Sequence, residues 1–218
     1  GSGNSFFDMG RALFIQWPEI LSKQHQENLY LRRQYRPDCF WDLGKSQDYR
    51  HDARAMIFGH VSLCTGISDL VQTFGIKPNF VVGYSLGETA GLFALKAWSD
   101  RDEMLGKIQN STLFTEELAG ECRAARRHWK WPKSKPLNWV LFTIDRSMDA
   151  IRVLLKRYHH VYPLISNTNE ECVIGGERGA VEAFIREIGC RYVPIKGVTI
   201  SHCEVLKEVE ASYRELHL

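Results

Sequence analysis

A chain of 218 residues fits one α/β domain with room for a small subdomain, and can bury roughly 70% of the surface that its unfolded form exposes. With 28 Lys and Arg against 26 Asp and Glu the formal charge is +2, which removes any general electrostatic pull toward nucleic acid or an anionic membrane. Cys39, Cys64, Cys122, Cys172, Cys190 and Cys203 are scattered with no C-x-x-C pair, so neither a disulfide framework nor a zinc site is indicated, and free thiols in a reducing compartment are expected.

No run of 18 apolar residues and no signal peptide is present, so a cytoplasmic location is expected, with no membrane partner. The opening "GSGNSFFDMGR" reads either as an expression scar followed by native sequence or as a glycine-rich loop entering a helix, and the sequence leaves both open. Between Arg54 and Phe74, apolar residues at Ile57, Val61, Cys64, Ile67, Val71 and Phe74 recur every three to four positions, predicting a helix whose stripe covers a sheet. "GIKPN" stops that helix through Gly75 and Pro78, and "FVV" at 80–82 then predicts a short buried strand. The tight turn "GYSLGE" follows, with a helix from about Leu86 and another from Ser99, where Asp102 sits at capping-box spacing. Helix, strand, glycine turn and helix in this order predict a hydrolase-like α/β core with a parallel sheet, over residues 1–130.

Residues 123–135, "RAARRHWKWPKSK", are basic and carry two tryptophans. The run reads first as a solvated helix end and linker, then as a docking patch for an acidic partner; nucleic acid is not expected. From 137 to 195 the rhythm changes. "LNWVLFT", "VYPLIS", "ECVIGG" and "CRYVPI" are strand-like, with amphipathic helices at 147–158 and around Val181, Phe184, Ile185 and Ile188. The βαββαβ sum outlines an inserted ferredoxin-like subdomain. Residues 196–218 return to the core, with Ser201 and Glu204 at capping-box spacing ahead of a helix.

Chemistry concentrates on two residues. In "GYSLG" a serine between a strand and a helix is forced into a sharp turn, which lifts the Ser85 hydroxyl out of the sheet toward the positive end of the following helix. A hydroxyl needs a base, and eight histidines compete. His128, His159 and His160 read as surface groups, His217 is nearly terminal, and His25 and His51 lie in hydrophilic segments. His60 heads an apolar helix and reads first as a core histidine. His202 is expected in the first turn of a helix, where the positive end keeps its ring neutral and able to accept a proton. The N–H of Leu86 is the expected first oxyanion donor and that of Ser2 the second. Asp100, Asp102, Asp145 and Asp149 lie between Ser85 and His202, but none ends a convincing central strand, so no third member is assigned.

With those residues in place, "GSGNSFFDMGR", "VVGYSLGETAGLFA" and "VTISHCEV" together resemble the acyltransferase family of malonyl-CoA:acyl-carrier-protein transacylases and the acyltransferase domains of polyketide and polyunsaturated fatty acid synthases. The resemblance is greatest to the polyunsaturated fatty acid synthase type. It implies that Ser85 is acylated, that His202 is base and then acid, and that Leu86 and Ser2 supply the oxyanion N–H groups. It also implies acyl-CoA or acyl carrier protein thioesters as substrates, a phosphopantetheine thiol as acceptor, no permanently bound cofactor or metal, and an acyl carrier protein and neighbouring synthase domains as partners. Thioesterase-like hydrolysis, or an inactive scaffold, remains the alternative.

Several positions depart from the family pattern. Tyr84 stands where the elbow has histidine, and Ser2 where the first loop has glutamine. Asn110 occupies the position of an arginine that would pair with a dicarboxylic acyl group, so malonyl units are expected to be disfavoured. Thr199, Ile200 and Ser201 replace the usual triplet before the base histidine. Relative to the family, the domain is expected to be shortened at both ends.

Overall fold

The computed structural model describes residues 4, 6–41, 52–196 and 199–217, which form two compact units, 1–111 and 112–218. In the first unit, α1 (Arg11–Gln16), α2 (Pro18–Glu27), α3 (Leu31–Gln34) and α4 (Pro37–Trp41) precede the long α5 (Ala53–Thr73), and α6 (Leu86–Ala94) and α7 (Arg101–Gln109) close it. Asp52 starts α5 by accepting the N–H groups of Arg54 and Ala55, at 3.0 and 3.1 Å. Met9, Phe14, Ile20, Leu31, Tyr35 and Phe40 pack with Ala55, Met56 and Leu70 of α5. The close approach of Phe40 depends on Gly59, where an added Cβ would strike the ring.

That packing uses a different face of α5 from the one the sequence periodicity suggests. Val61 is buried, but Cys64, Ile67, Val71 and Phe74 are exposed, while Phe58, Ser62, Thr65, Gly66 and Asp69 face inward. A helix apolar all round has no single stripe to orient it, and here small and polar positions meet the neighbouring helices. The buried charges are hydrogen-bonded: Asp69 accepts from Lys23 at 2.7 Å and from Gln24, and Arg101, 3% exposed, donates to Asn28 at 3.0 Å and to Gln24. This links α2, α5 and α7 through hydrogen-bonded charge, the form in which buried charge is tolerated.

The expected parallel sheet is overturned. Residues 80–82 form no strand and pair with none among the described residues, and Phe80 and Val82 are 89% and 96% exposed. A single apolar run cannot make a sheet: its N–H and C=O groups need a neighbouring strand on which to close a ladder.

The sheet that does form lies in the second unit and is antiparallel and open. Its strands are β1 (Trp139–Ile144), β2 (Val161–Ser166), β3 (Cys172–Glu177) and β4 (Tyr192–Ile195), in the order β2-β3-β1-β4. β1 pairs with β3 and β4, with Phe142 opposite both Ile174 and Pro194, and β2 pairs with β3 with an irregularity at Pro163. α9 (Met148–Leu155) and α10 (Arg178–Ile188) supply Ile151, Val181, Phe184 and Ile185, which pack on Val140, Phe142, Ile144 and Ile174. Ser147 caps α9 through the Ala150 N–H, and Gly189 ends α10 at φ 60°, a left-handed position suited to glycine. Around this layer lie a π-turn at Leu113–Glu117, α8 (Arg123–His128), a 3-10 helix at Glu204–Val209 and α11 (Glu210–Glu215).

Candidate active site

The turn at Ser85 is built by its neighbours. Ser85 takes φ 53° and ψ −121°, and α6 begins at the next residue. A non-glycine residue at positive φ costs of order 1–3 kcal/mol and persists only where the surroundings impose it. Gly83 is part of what imposes it. A Cβ there would lie 2.5 Å from the carbonyl carbon of Gly87 and closer still to the nitrogen and Cα of Glu88. Gly87 is different, since an added Cβ would meet nothing within 4 Å. The turn closes through Gly87 N–H to Tyr84 O and Glu88 N–H to Ser85 O, each 2.9 Å. Behind it, Val81 packs on Gly91, and Leu86 joins Val61, Ala90 and Phe93 in a small apolar cluster between α5 and α6.

Ser85 does not cap α6 with its side chain. The N–H of Leu86, at the first position of α6, has no acceptor among the described residues, which is the state of an orphan donor at a helix N-terminus and fits it to receive a developing negative charge. Ser2, expected as the second donor, lies outside the described residues. Tyr84 is half exposed on the turn.

His202 is not in a helix. It sits in an exposed bend at φ 58°, and the 3-10 helix starts two residues later with Cys203 as its N-cap. His202 therefore does not occupy the first helical turn that the sequence suggests. The Ser201 hydroxyl turns back to Thr199 O at 3.4 Å instead of capping a helix, Thr199 is half-buried, and Ile200 is fully buried with its N–H on Leu118 O at 2.8 Å. Asn110 is exposed and caps the C-terminus of α7, its N–H on Gly106 O at 3.1 Å. Ser85, Leu86, Tyr84 and Asn110 belong to the first unit, and Thr199, Ile200, Ser201 and His202 to the second.

The four aspartates between serine and histidine are all engaged. Asp100 caps α7 through Glu103 N–H at 2.7 Å, and Asp102 accepts from the N–H groups of Leu29 and Tyr30 and from Gln34. Asp145 holds Arg146 and Arg191, which lower its pKa from the usual carboxylate value, and Asp149 pairs with Arg152. His60 is buried with Nδ1 on Met56 O at 2.8 Å, and burial lowers its pKa.

The basic run is largely spent inside the second unit. Arg123 pairs with Glu116 and Glu121, Arg126 donates to the carbonyls of Glu121, Pro132 and Lys135, and Arg127 forks onto Glu117 at 3.2 and 2.7 Å. His128 faces Glu208 at 3.2 Å and Glu204 at 3.5 Å. Trp129 stacks on Trp139 and Tyr162 and donates to the Tyr162 hydroxyl at 2.7 Å. Sequence reasoning missed Glu204 and Glu208 as partners because they lie about eighty residues away along the chain.

A cavity of about 490 Å³ in the first unit is lined by Arg32, Arg33, Arg36 and Arg54 with Asp52 and Phe58 among its walls; neither Ser85 nor Asn110 touches it. Among the described residues no cluster of His, Cys, Asp or Glu could hold a metal, no helix is long and apolar enough to cross a membrane, and all six cysteines are free.

No family model matches the chain. Among curated proteins, the highly reducing polyketide synthase easB of Emericella nidulans is 31% identical over 127 residues, 55% of this chain and 5% of that protein. Norsolorinic acid synthase stcA of the same organism is 30% identical over 109 residues, 48% of this chain and 5% of that protein. The chain thus spans about one-twentieth of the length of these relatives. Among solved structures, the acyltransferase domain of the polyketide synthase PpsC of Mycobacterium tuberculosis superposes with a TM-score of 0.72 at 15% identity, over 99% of this chain and 61% of that one. The acyltransferase domain of SpnD gives 0.70 at 15% identity, over 100% and 48%, and MCAT from Streptococcus pneumoniae 0.66 at 18%, over 99% and 66%. The structural neighbours are acyltransferase domains and transacylases, so the resemblance read from the sequence holds at the level of fold.

Proposed function

We propose that this chain carries the acylation chemistry of a synthase acyltransferase, with Ser85 as nucleophile and His202 as base. The observation that carries the reading is the strained backbone of Ser85 directly ahead of α6, built over a glycine where any Cβ would strike backbone. The likeness in fold to acyltransferase domains supports the same chemistry.

In the first half-reaction the Ser85 hydroxyl oxygen bonds to the thioester carbonyl carbon as His202 takes its proton. The N–H of Leu86, with that of Ser2, stabilises the oxyanion. The carbon–sulfur bond then breaks, and His202 returns the proton to the departing CoA or carrier thiol. In the second half-reaction His202 takes the proton of a phosphopantetheine thiol of an acyl carrier protein as its sulfur bonds to the acyl carbon, and returns that proton to the Ser85 oxygen as the ester bond breaks. Asn110, a neutral amide, cannot form the ion pair that a malonyl carboxylate seeks, so monocarboxylic acyl groups are the expected cargo.

Intact-mass measurement over a panel of acyl-CoA chain lengths tests the reading. One acyl adduct is expected on the wild-type chain and none on Ser85→Ala, a loss of about 10⁴-fold or more in acylation rate. An adduct that survives the substitution removes Ser85 from the mechanism, and free acid exceeding acyl carrier protein after one turnover replaces transfer by hydrolysis.

A further inference from the structure

His202 holds a left-handed backbone in an exposed bend. Histidine enters that region more readily than most residues, but the conformation still carries a cost and needs a frame. The frame comes from both sides of the residue. Upstream, Ile200 is 1% exposed and its N–H is fixed on Leu118 O at 2.8 Å. Downstream, the 3-10 helix beginning at Glu204 is held by α8. Arg127 forks onto Glu117, the residue before Leu118, and its Nη2 also reaches Glu208 O at 3.5 Å. Both ring nitrogens of His128 face carboxylates, Nδ1 toward Glu208 and Nε2 toward Glu204. One short turn, Glu117–Leu118, therefore braces both approaches to His202.

α8 is rigid enough to serve as the fixed jaw, since Arg126 pins its end to three backbone carbonyls and Trp129 is stacked against the sheet. An isolated exposed ion pair would contribute little. A network in which Arg127 and the ring of His128 meet three carboxylates, with a bidentate fork on a Glu117 side chain only 18% exposed, is the arrangement in which such pairs matter.

We propose that Arg127 and His128 are positioning residues, clamping Glu204 and Glu208 to α8 so that His202 keeps the left-handed backbone from which its ring acts as base. This rests on the reading of His202 as base. It also gives the basic run "RAARRHW" a role inside the molecule.

The test pairs hydrogen exchange of the backbone at 200–206 with the p-nitrophenolate burst from p-nitrophenyl butyrate, an activated ester that bypasses recognition of CoA. Arg127→Met is expected to speed exchange at 200–206 about fivefold or more and to slow acylation about tenfold with KM within about twofold. Arg127→Lys should fall between, and Arg127→Met should add no further loss on a His202→Ala background. Arg157→Met, which removes the exposed pair with Glu187, should change neither readout. Glu208→Gln gives a milder break of the clamp if Arg127→Met fails to fold. Unchanged exchange, or faster exchange with wild-type acylation, overturns the proposal while His202→Ala stays impaired. A wild-type rate in His202→Ala instead overturns the base assignment, and the positioning role with it.

Discussion

Ser85 and His202 both hold positive-φ backbones without being glycine, but the strain is enforced by different means. At Ser85 the enforcement is local and steric: Gly83 lies against the backbone of residues 87 and 88, and the helix starts at once. At His202 it is remote and electrostatic, running through hydrogen bonds and ion pairs to residues 117, 118, 127 and 128. A local steric device is insensitive to salt and changes only if its own residues change. A charged clamp is softer, screened by salt, and open to adjustment from a distant part of the chain.

The largest effect that tests this contrast is at His202 itself. His202→Ala should slow acylation of Ser85 by about 10²–10⁴-fold, the range for a positioned general base. His202→Asn separates chemistry from backbone, because asparagine also tolerates the left-handed region but cannot take the proton. An Asn variant as slow as the Ala variant, with unchanged exchange at 200–206, assigns the loss to the ring; recovery of activity in the Asn variant would assign it to the backbone.

At the elbow the two glycines should behave oppositely. Gly83→Ala forces a methyl into backbone and should destabilise the first unit by about 1–3 kcal/mol, with acylation falling as the turn shifts. Gly87→Ala has open space and lies within a helix, so it should be neutral or stabilising by up to about 1 kcal/mol. Chemical denaturation of both variants measures this directly. Equal losses at the two positions would show that the turn is not held by the close approach at Gly83.

Selectivity should respond more modestly. Asn110→Arg should raise malonyl-CoA acylation relative to octanoyl-CoA by about tenfold, the value of one partly exposed charge-assisted pair. A ratio that does not move would detach Asn110 from the acyl group, consistent with its exposed place at the end of α7.

The same distinction between local and remote explains what the sequence makes legible. The elbow is readable because each part of it lies within a few residues of Ser85. The strands and helices of 139–195 are readable because alternation and helical spacing are local patterns: Ile151, Val181, Phe184 and Ile185 fall where their periodicity puts them. The parallel sheet expected from "FVV" is not found among the described residues, since apolar character marks a segment able to form a strand but not the partner that would make it one. The stripe on α5 failed for a related reason. Its apolar residues circle the helix, and the burying face is chosen by Phe14 and Phe40 fitting over Gly66 and Gly59. The clamp on the His202 segment is illegible because Glu204 and Glu208 lie about eighty residues from the Arg127 and His128 that hold them.

The smallest predicted effect concerns the other buried histidine. His60 donates Nδ1–H to Met56 O, and its Nε2 is buried with no partner among the described residues, so the neutral ring fits its site and the imidazolium does not. Burial accordingly lowers its pKa in the folded protein. Below the ordinary histidine value of about 6.5 the unfolded chain takes up a proton that the folded chain refuses, so stability is retained above that pH and declines as the pH falls through the window beneath it. His60→Gln has no such proton to take up. Its stability should therefore fall less between pH 7 and 5 than that of the wild type, measured as denaturation midpoints at each pH, and parallel curves would show that His60 does not set the slope.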